Sequence, residues 1–153
     1  MNKSFTTGLL FMGAIVLMSF QGGPNVLCDQ KALKEKTKEF LDPYNYDSSE
    51  LTRLQYKKKE SIKEIEVPLF IGEKYRFAFN TEALPKPIEV QIYNKDKESK
   101  NRKLLFSSKG LPADQKQFTF EYAKARHVFI DYVVPPSDSS AFSGCVVFMV
   151  GYK

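Results

Sequence analysis

His127 is the only histidine of the 153 residues, so general-base chemistry by imidazole has one place to occur. It stands beside Arg126 at the start of an apolar-alternating stretch. That setting reads as the surface residue of a strand edge rather than a base beside a nucleophile. No nucleophile elbow, phosphate-cradling glycine loop or metal-binding histidine pair occurs in the sequence. Carboxylates are the other source of acid–base chemistry. Glu66, Glu89, Glu121 and Asp131 fall on strand-like segments, and a pair of them facing one cleft would have the composition of a glycoside hydrolase. Asp131 stands out, because Phe129, Ile130, Tyr132 and Val133 around it imply burial. A buried carboxylate is either hydrogen-bonded structure or a group whose pKa is shifted for function. The structural reading fits better, and we read the chain as non-catalytic, with no cofactor.

Cys28 and Cys145 are the only cysteines, too few for a zinc site without further ligands. In an exporting compartment they can bridge. A bridge across 117 positions would add about 4–5 kcal/mol on the loop-entropy model. The alternative is a buried Cys145 with Cys28 in a mobile tail. Asn94, Asp96 and Glu98 alternate as in a calcium loop, but lysines stand between the acids and no bend glycine follows, so Lys95–Lys103 reads as a plain polar loop. Tyr44, Tyr46 and Tyr93 are the candidate ligand-facing aromatics; the competing role is to cap the edge of a core.

The N-terminus carries Lys3, an apolar run from Gly8 to Phe20, and small residues at Gly22 and Gly23. This is the layout of an export signal, shorter than the ~18–20 residues of a spanning helix. We place the signal at residues 1–23, with cleavage between Gln21 and Cys28. Lipidation at Cys28 is disfavoured by Leu27, bulky where a small residue belongs. The formal charge is +5. Its lysines are interleaved with acids along the chain, the pattern of a solvated surface rather than of a nucleic-acid face. On this reading the chain meets a membrane only through the transient signal.

Positioning elements follow from periodicity. Asp29 caps a helix running to Leu41, with Leu33, Thr37, Phe40 and Leu41 on one stripe and Asp42–Pro43 as its stop. It is expected to pack outside a sheet or across one end of a sandwich. Pro43–Ser49 reads as a turn-rich connection. Strands are expected over 51–57 and 61–69, the latter an edge or strand end because of Pro68. From Gly72 to Asn94 two strands alternate apolar and polar residues, Tyr75/Phe77/Phe79 and Ile88/Val90/Ile92, and read as a pair joined by the Thr81–Pro87 connector, a loop carrying Pro85 and Pro87. Further strands begin at Leu104 and cover Gln117–Tyr122, His127–Val134 and Cys145–Val150. The last is apolar on both faces, as a central strand is. About eight strands with regular turns define a mainly β chain, an antiparallel β-sandwich or jelly roll with one short N-terminal helix. The domains are then the signal (1–23), helix and connector (24–48) and sandwich (49–153).

From Gly72 to Tyr152, the segments GEKYRFAF, IEVQIYNK, KLLFSS, FTFEY and GCVVFMVGYK resemble small exported β-sandwich proteins of Bacteroidota. Their jelly-roll-like sheets are similar to pre-peptidase C-terminal and carbohydrate-binding modules. The resemblance implies a fold and a periplasmic or extracellular location, with no site residue to carry over. The expected function is an exported binding or accessory module for a glycan, peptide or envelope protein. The alternatives are a structural subunit of an envelope or surface assembly and, behind it, a glycan-active enzyme.

Overall fold

Period-two alternation puts one apolar face on each strand, and two such faces close on each other. The computed structural model describes residues 28–124, 126–139 and 142–153; the segment read as an export signal, residues 1–23, lies outside them. The strands are β1 (Asn45–Gln55), β2 (Ser61–Pro68), β3 (Tyr75–Asn80), β4 (Glu89–Tyr93), β5 (Leu104–Ser107), β6 (Gln117–Tyr122), β7 (His127–Val134) and β8 (Ser143–Tyr152). They form two four-stranded sheets, ordered β1-β8-β3-β6 and β2-β7-β4-β5, antiparallel throughout. That order is a jelly roll.

The expected pairing within Gly72–Asn94 is corrected. β3 pairs with β6 and β8, while β4 pairs with β5 and β7 in the opposite sheet. The connector carries the chain across the sandwich, and β4–β5 is the one consecutive pair sharing a sheet. The apolar trios still face inward, with Phe77 beside Val150 and Ile92 beside Ile130. Residues 45–49 are also strand rather than turn: β1 begins at Asn45 and absorbs a bulge between Tyr46 and Ser48. Pro68 ends β2, an edge strand, where a missing N–H costs no ladder bond.

β8 is buried on both faces. Val146, Phe148 and Val150 enter the inter-sheet core, and Cys145, Val147 and Met149 face the helix. That helix, α1 (Gln30–Lys38), is capped by Asp29 Oδ1, which accepts from the Lys31 and Ala32 N–H groups at 3.1 Å. It packs on the outside of the first sheet through Leu33 and Thr37, with Leu41 just beyond, whereas Phe40 is exposed. Cys28 and Cys145 are joined by a disulfide, Cα–Cα 5.7 Å, which ties the entry of α1 to the central strand. A thiol held in that bridge is not free to carry a thioether-linked lipid.

Candidate functional site

The four strand carboxylates do not converge. Glu66 lies 3.2 Å from Nδ1 of the exposed His127. Glu89 accepts from Ser107 Oγ at 2.6 Å and Gln91 Nε2 at 2.8 Å. Burial raises the Glu89 carboxyl, but those two donors outweigh it and the net shift is downward. Glu121 sits in the other sheet and accepts from Arg76 Nε at 2.9 Å. Asp131 is 1% exposed and is held by Arg102 through two bonds of 2.8 and 2.9 Å. Arg102 also reaches Glu64 Oε2 at 2.8 Å. Desolvation lifts the Glu64 carboxyl above its ordinary value, with the Asp131 charge beside it adding to the shift. The buried acid thus belongs to a structural ion-pair cluster closed by a residue of the polar Lys95–Lys103 loop. Nothing in the loop's local pattern distinguished Arg102 from its neighbours.

The three candidate tyrosines are not brought together. Tyr93 stands on β4 in the second sheet, its ring 3.6 Å beneath the Arg102 guanidinium and its hydroxyl donating to Gln91 at 2.8 Å. Tyr46 is half-exposed on β1, its hydroxyl 3.1 Å from Ser49. Tyr44 lines a hollow.

That hollow, of about 430 Å³, opens where β1 and β3 begin and β6 ends, and is lined by Tyr44, Lys74, Tyr75, Glu121, Tyr122 and Lys124. Tyr44 lies against Gly151, where a Cβ would come within 2.9 Å of the Tyr44 Cβ and of the Asn45 carbonyl. Its ring lies 4.5 Å from the Arg76 guanidinium. Burial, with the Glu121 carboxylate beside it, raises the Tyr44 phenol. Arg76 in turn holds Glu121 below the usual carboxylate range. Tyr122 stacks on Phe120 at 5.9 Å between centroids. Tyr75 is buried, and its hydroxyl accepts the Phe70 N–H at 2.8 Å. Arg76 neutralises Glu121, whereas Lys74 and Lys124 are exposed and in no ion pair among the described residues. The hollow therefore offers aromatic surface beside uncompensated positive charge. Tyr75 and Tyr122 alternate in register with the core residues of their strands, so periodicity alone assigned them to the core.

Among the described residues, no group of three His, Cys, Asp or Glu is placed to hold a metal ion, and no helix is long and apolar enough to cross a membrane. The site and fold define a jelly-roll sandwich with a tyrosine-lined, basic hollow at one end. Comparison with models of known protein families and with curated proteins finds no match.

Proposed function

We propose that this chain is an exported, non-catalytic binding module of the periplasm or cell exterior, and that it takes an acidic saccharide at the end hollow. The observation that carries the reading is the pairing of half-buried Tyr44 and Tyr122 with unpaired Lys74 and Lys124 around one hollow of about 430 Å³. That volume is within the range of small-ligand sites. Aromatic faces stack on sugar rings, and free ammonium groups select a carboxylated or sulfated sugar over a neutral one. The Cys28–Cys145 disulfide fits an oxidising, exported compartment.

The test is a glycan array followed by titration calorimetry on the full chain and on Tyr122→Ala and Lys124→Ala. The reading expects acidic oligosaccharides to bind, with each substitution weakening binding about tenfold; Lys124→Ala should melt as the parent does, and Tyr122→Ala should stay folded at the assay temperature while melting lower for its lost stacking on Phe120. Failure to retain any glycan, or parental affinity in both variants, overturns it.

A further inference from the structure

Phe70 and Ile71 are 78% and 70% exposed, well above every other exposed large hydrophobic residue described. They sit side by side at the tip of the β2–β3 loop, and the loop is anchored on both sides of them. Leu69 is buried and its N–H donates to the Arg126 carbonyl at 2.7 Å. The Phe70 N–H is held by the Tyr75 hydroxyl. Gly72 turns the chain at φ 101°, a conformation that favours glycine. Lys74 and Lys153 then exchange backbone hydrogen bonds of 3.1 and 2.9 Å. The fold thus presents two apolar side chains to solvent on a fixed base.

The surroundings of the tip are basic. Ile71 shares a shallow hollow with Lys124 and Arg126, and Lys74 follows two residues after the turn. All three cations are exposed, and none is in an ion pair among the described residues. Of the nearby acids, Glu121 is paired with Arg76, Glu66 lies 3.2 Å from His127 and keeps its charge while that imidazole is neutral, and Glu73 is the one acid within the turn. Apolar side chains projecting beyond a basic collar match an anionic lipid surface: the tip enters the headgroup boundary and the cations meet phosphates. An apolar pocket on a partner protein would accept the tip without needing the collar.

We propose that the Phe70–Ile71 tip docks this chain on an anionic bilayer, with Arg126 and, in competition with an acidic saccharide at the adjoining hollow, Lys74 and Lys124 on the lipid phosphates. The contact is peripheral and reversible, because two side chains bury little apolar area and each cation contributes about fivefold in affinity.

The natural chain has no tryptophan, so Phe70→Trp places a single reporter at the tip. The full chain carrying it is titrated with vesicles of phosphatidylcholine alone and of phosphatidylcholine with phosphatidylglycerol. Expected is a blue shift of emission on the anionic vesicles only, reversed by high salt. In sedimentation with the same vesicles, Phe70→Ser/Ile71→Ser abolishes binding, and Lys124→Glu/Arg126→Glu lowers it more than tenfold, with both variants melting as the parent does. Emission that stays unshifted on anionic vesicles overturns the proposal, as does binding that survives the double serine variant. Equal binding to neutral vesicles overturns it too.

Discussion

Arg102 crosses the outer face of the second sheet and grips Asp131 with both terminal nitrogens, Nη1 to Oδ2 at 2.8 Å and Nη2 to Oδ1 at 2.9 Å. Asp131 is almost fully buried beneath Arg102, which is 16% exposed, so removing the cation takes from the carboxylate both charge-assisted bonds and its cover. Arg102→Ala is expected to cost about 3–5 kcal/mol in urea denaturation. Arg102→Met with Asp131→Asn, which removes both charges, should recover part of that loss. A single variant that unfolds at the parent's midpoint would show that the pair carries no such weight.

Stability against pH should have two limbs. Glu82, hydrogen-bonded by Lys36, and Glu121, bonded by Arg76, titrate below the ordinary glutamate value. Between their folded values and the ordinary one the unfolded chain holds more protons, so stability rises with pH there. It is fully present above about pH 4.3 and lost as acid protonates the folded carboxylates. Glu64 is shifted upward by burial; above the ordinary value the folded state holds its proton longer, and stability falls as pH rises through that window. Glu64→Gln should therefore gain relative to the parent as pH increases past about 4.3. Denaturation midpoints across a pH series read both limbs, and a profile with no acid loss contradicts the first.

Reduction of Cys28–Cys145 should lower the melting temperature. With the two cysteines 117 residues apart, the chain-entropy contribution is about 5 kcal/mol, and loss of a native disulfide costs about 2–5 kcal/mol in practice. Cys28→Ala should melt like the reduced parent and ignore reductant. If the parent melts identically with and without reductant, the bridge contributes nothing.

Gly144 has no space for a side chain. A Cβ there collides with the Ala83 carbonyl and comes within 2.9 Å of Pro85 Cδ, and that carbonyl is fixed by the Cys145 N–H at 3.1 Å. Gly144→Ala is expected to cost about 1–3 kcal/mol. Gly110→Ala, where nothing lies within 4 Å, should stay within about 0.5 kcal/mol of the parent. Equal effects at the two positions would remove the steric explanation.

The Tyr132 hydroxyl is fully buried in the inter-sheet core, with the Thr52 side chain beside it and no partner in good hydrogen-bonding geometry among the described residues. Burial drives its phenol far above the ordinary value. Tyr132→Phe deletes a desolvated oxygen whose one polar neighbour, Thr52, is poorly aligned with it, so stability should hold or rise by about 1 kcal/mol. A loss of that size in equilibrium denaturation would reveal a bond to the hydroxyl.

Much of the frame was legible before any coordinates. Alternation in β3, β4, β6 and β7 identified inward residues such as Phe77, Val90, Phe118 and Ile130, all buried. The two apolar faces of Cys145–Val150 marked the central strand, and Asp29 marked the cap of α1. Local reading failed at β1, where Tyr44–Ser49 has turn-forming composition but the edge of β8 supplies backbone partners from Asn45 onward. It also failed at Phe40, which leaves the buried stripe where the chain tightens into a 3-10 turn over Glu39–Leu41.

What the sequence by itself determined is which side of each strand is apolar and about how many strands there are; it left open whether Cys28 and Cys145 are bridged, which the fold decided by bringing them together. A period of two is a property of one strand and carries no information about the sheet the strand joins. Tertiary structure alone decided that β3 and β4 part into opposite sheets, because that choice depends on the length of the Thr81–Pro87 crossing and on which neighbours each edge meets. It decided likewise that Arg102 leaves its loop to neutralise Asp131, and that tyrosines at the ends of β3 and β6 join Tyr44 around a hollow. It set Phe70 and Ile71 in front of Lys74, Lys124 and Arg126 in the same way. Each is a relationship between residues far apart in the chain, fixed by packing rather than by spacing.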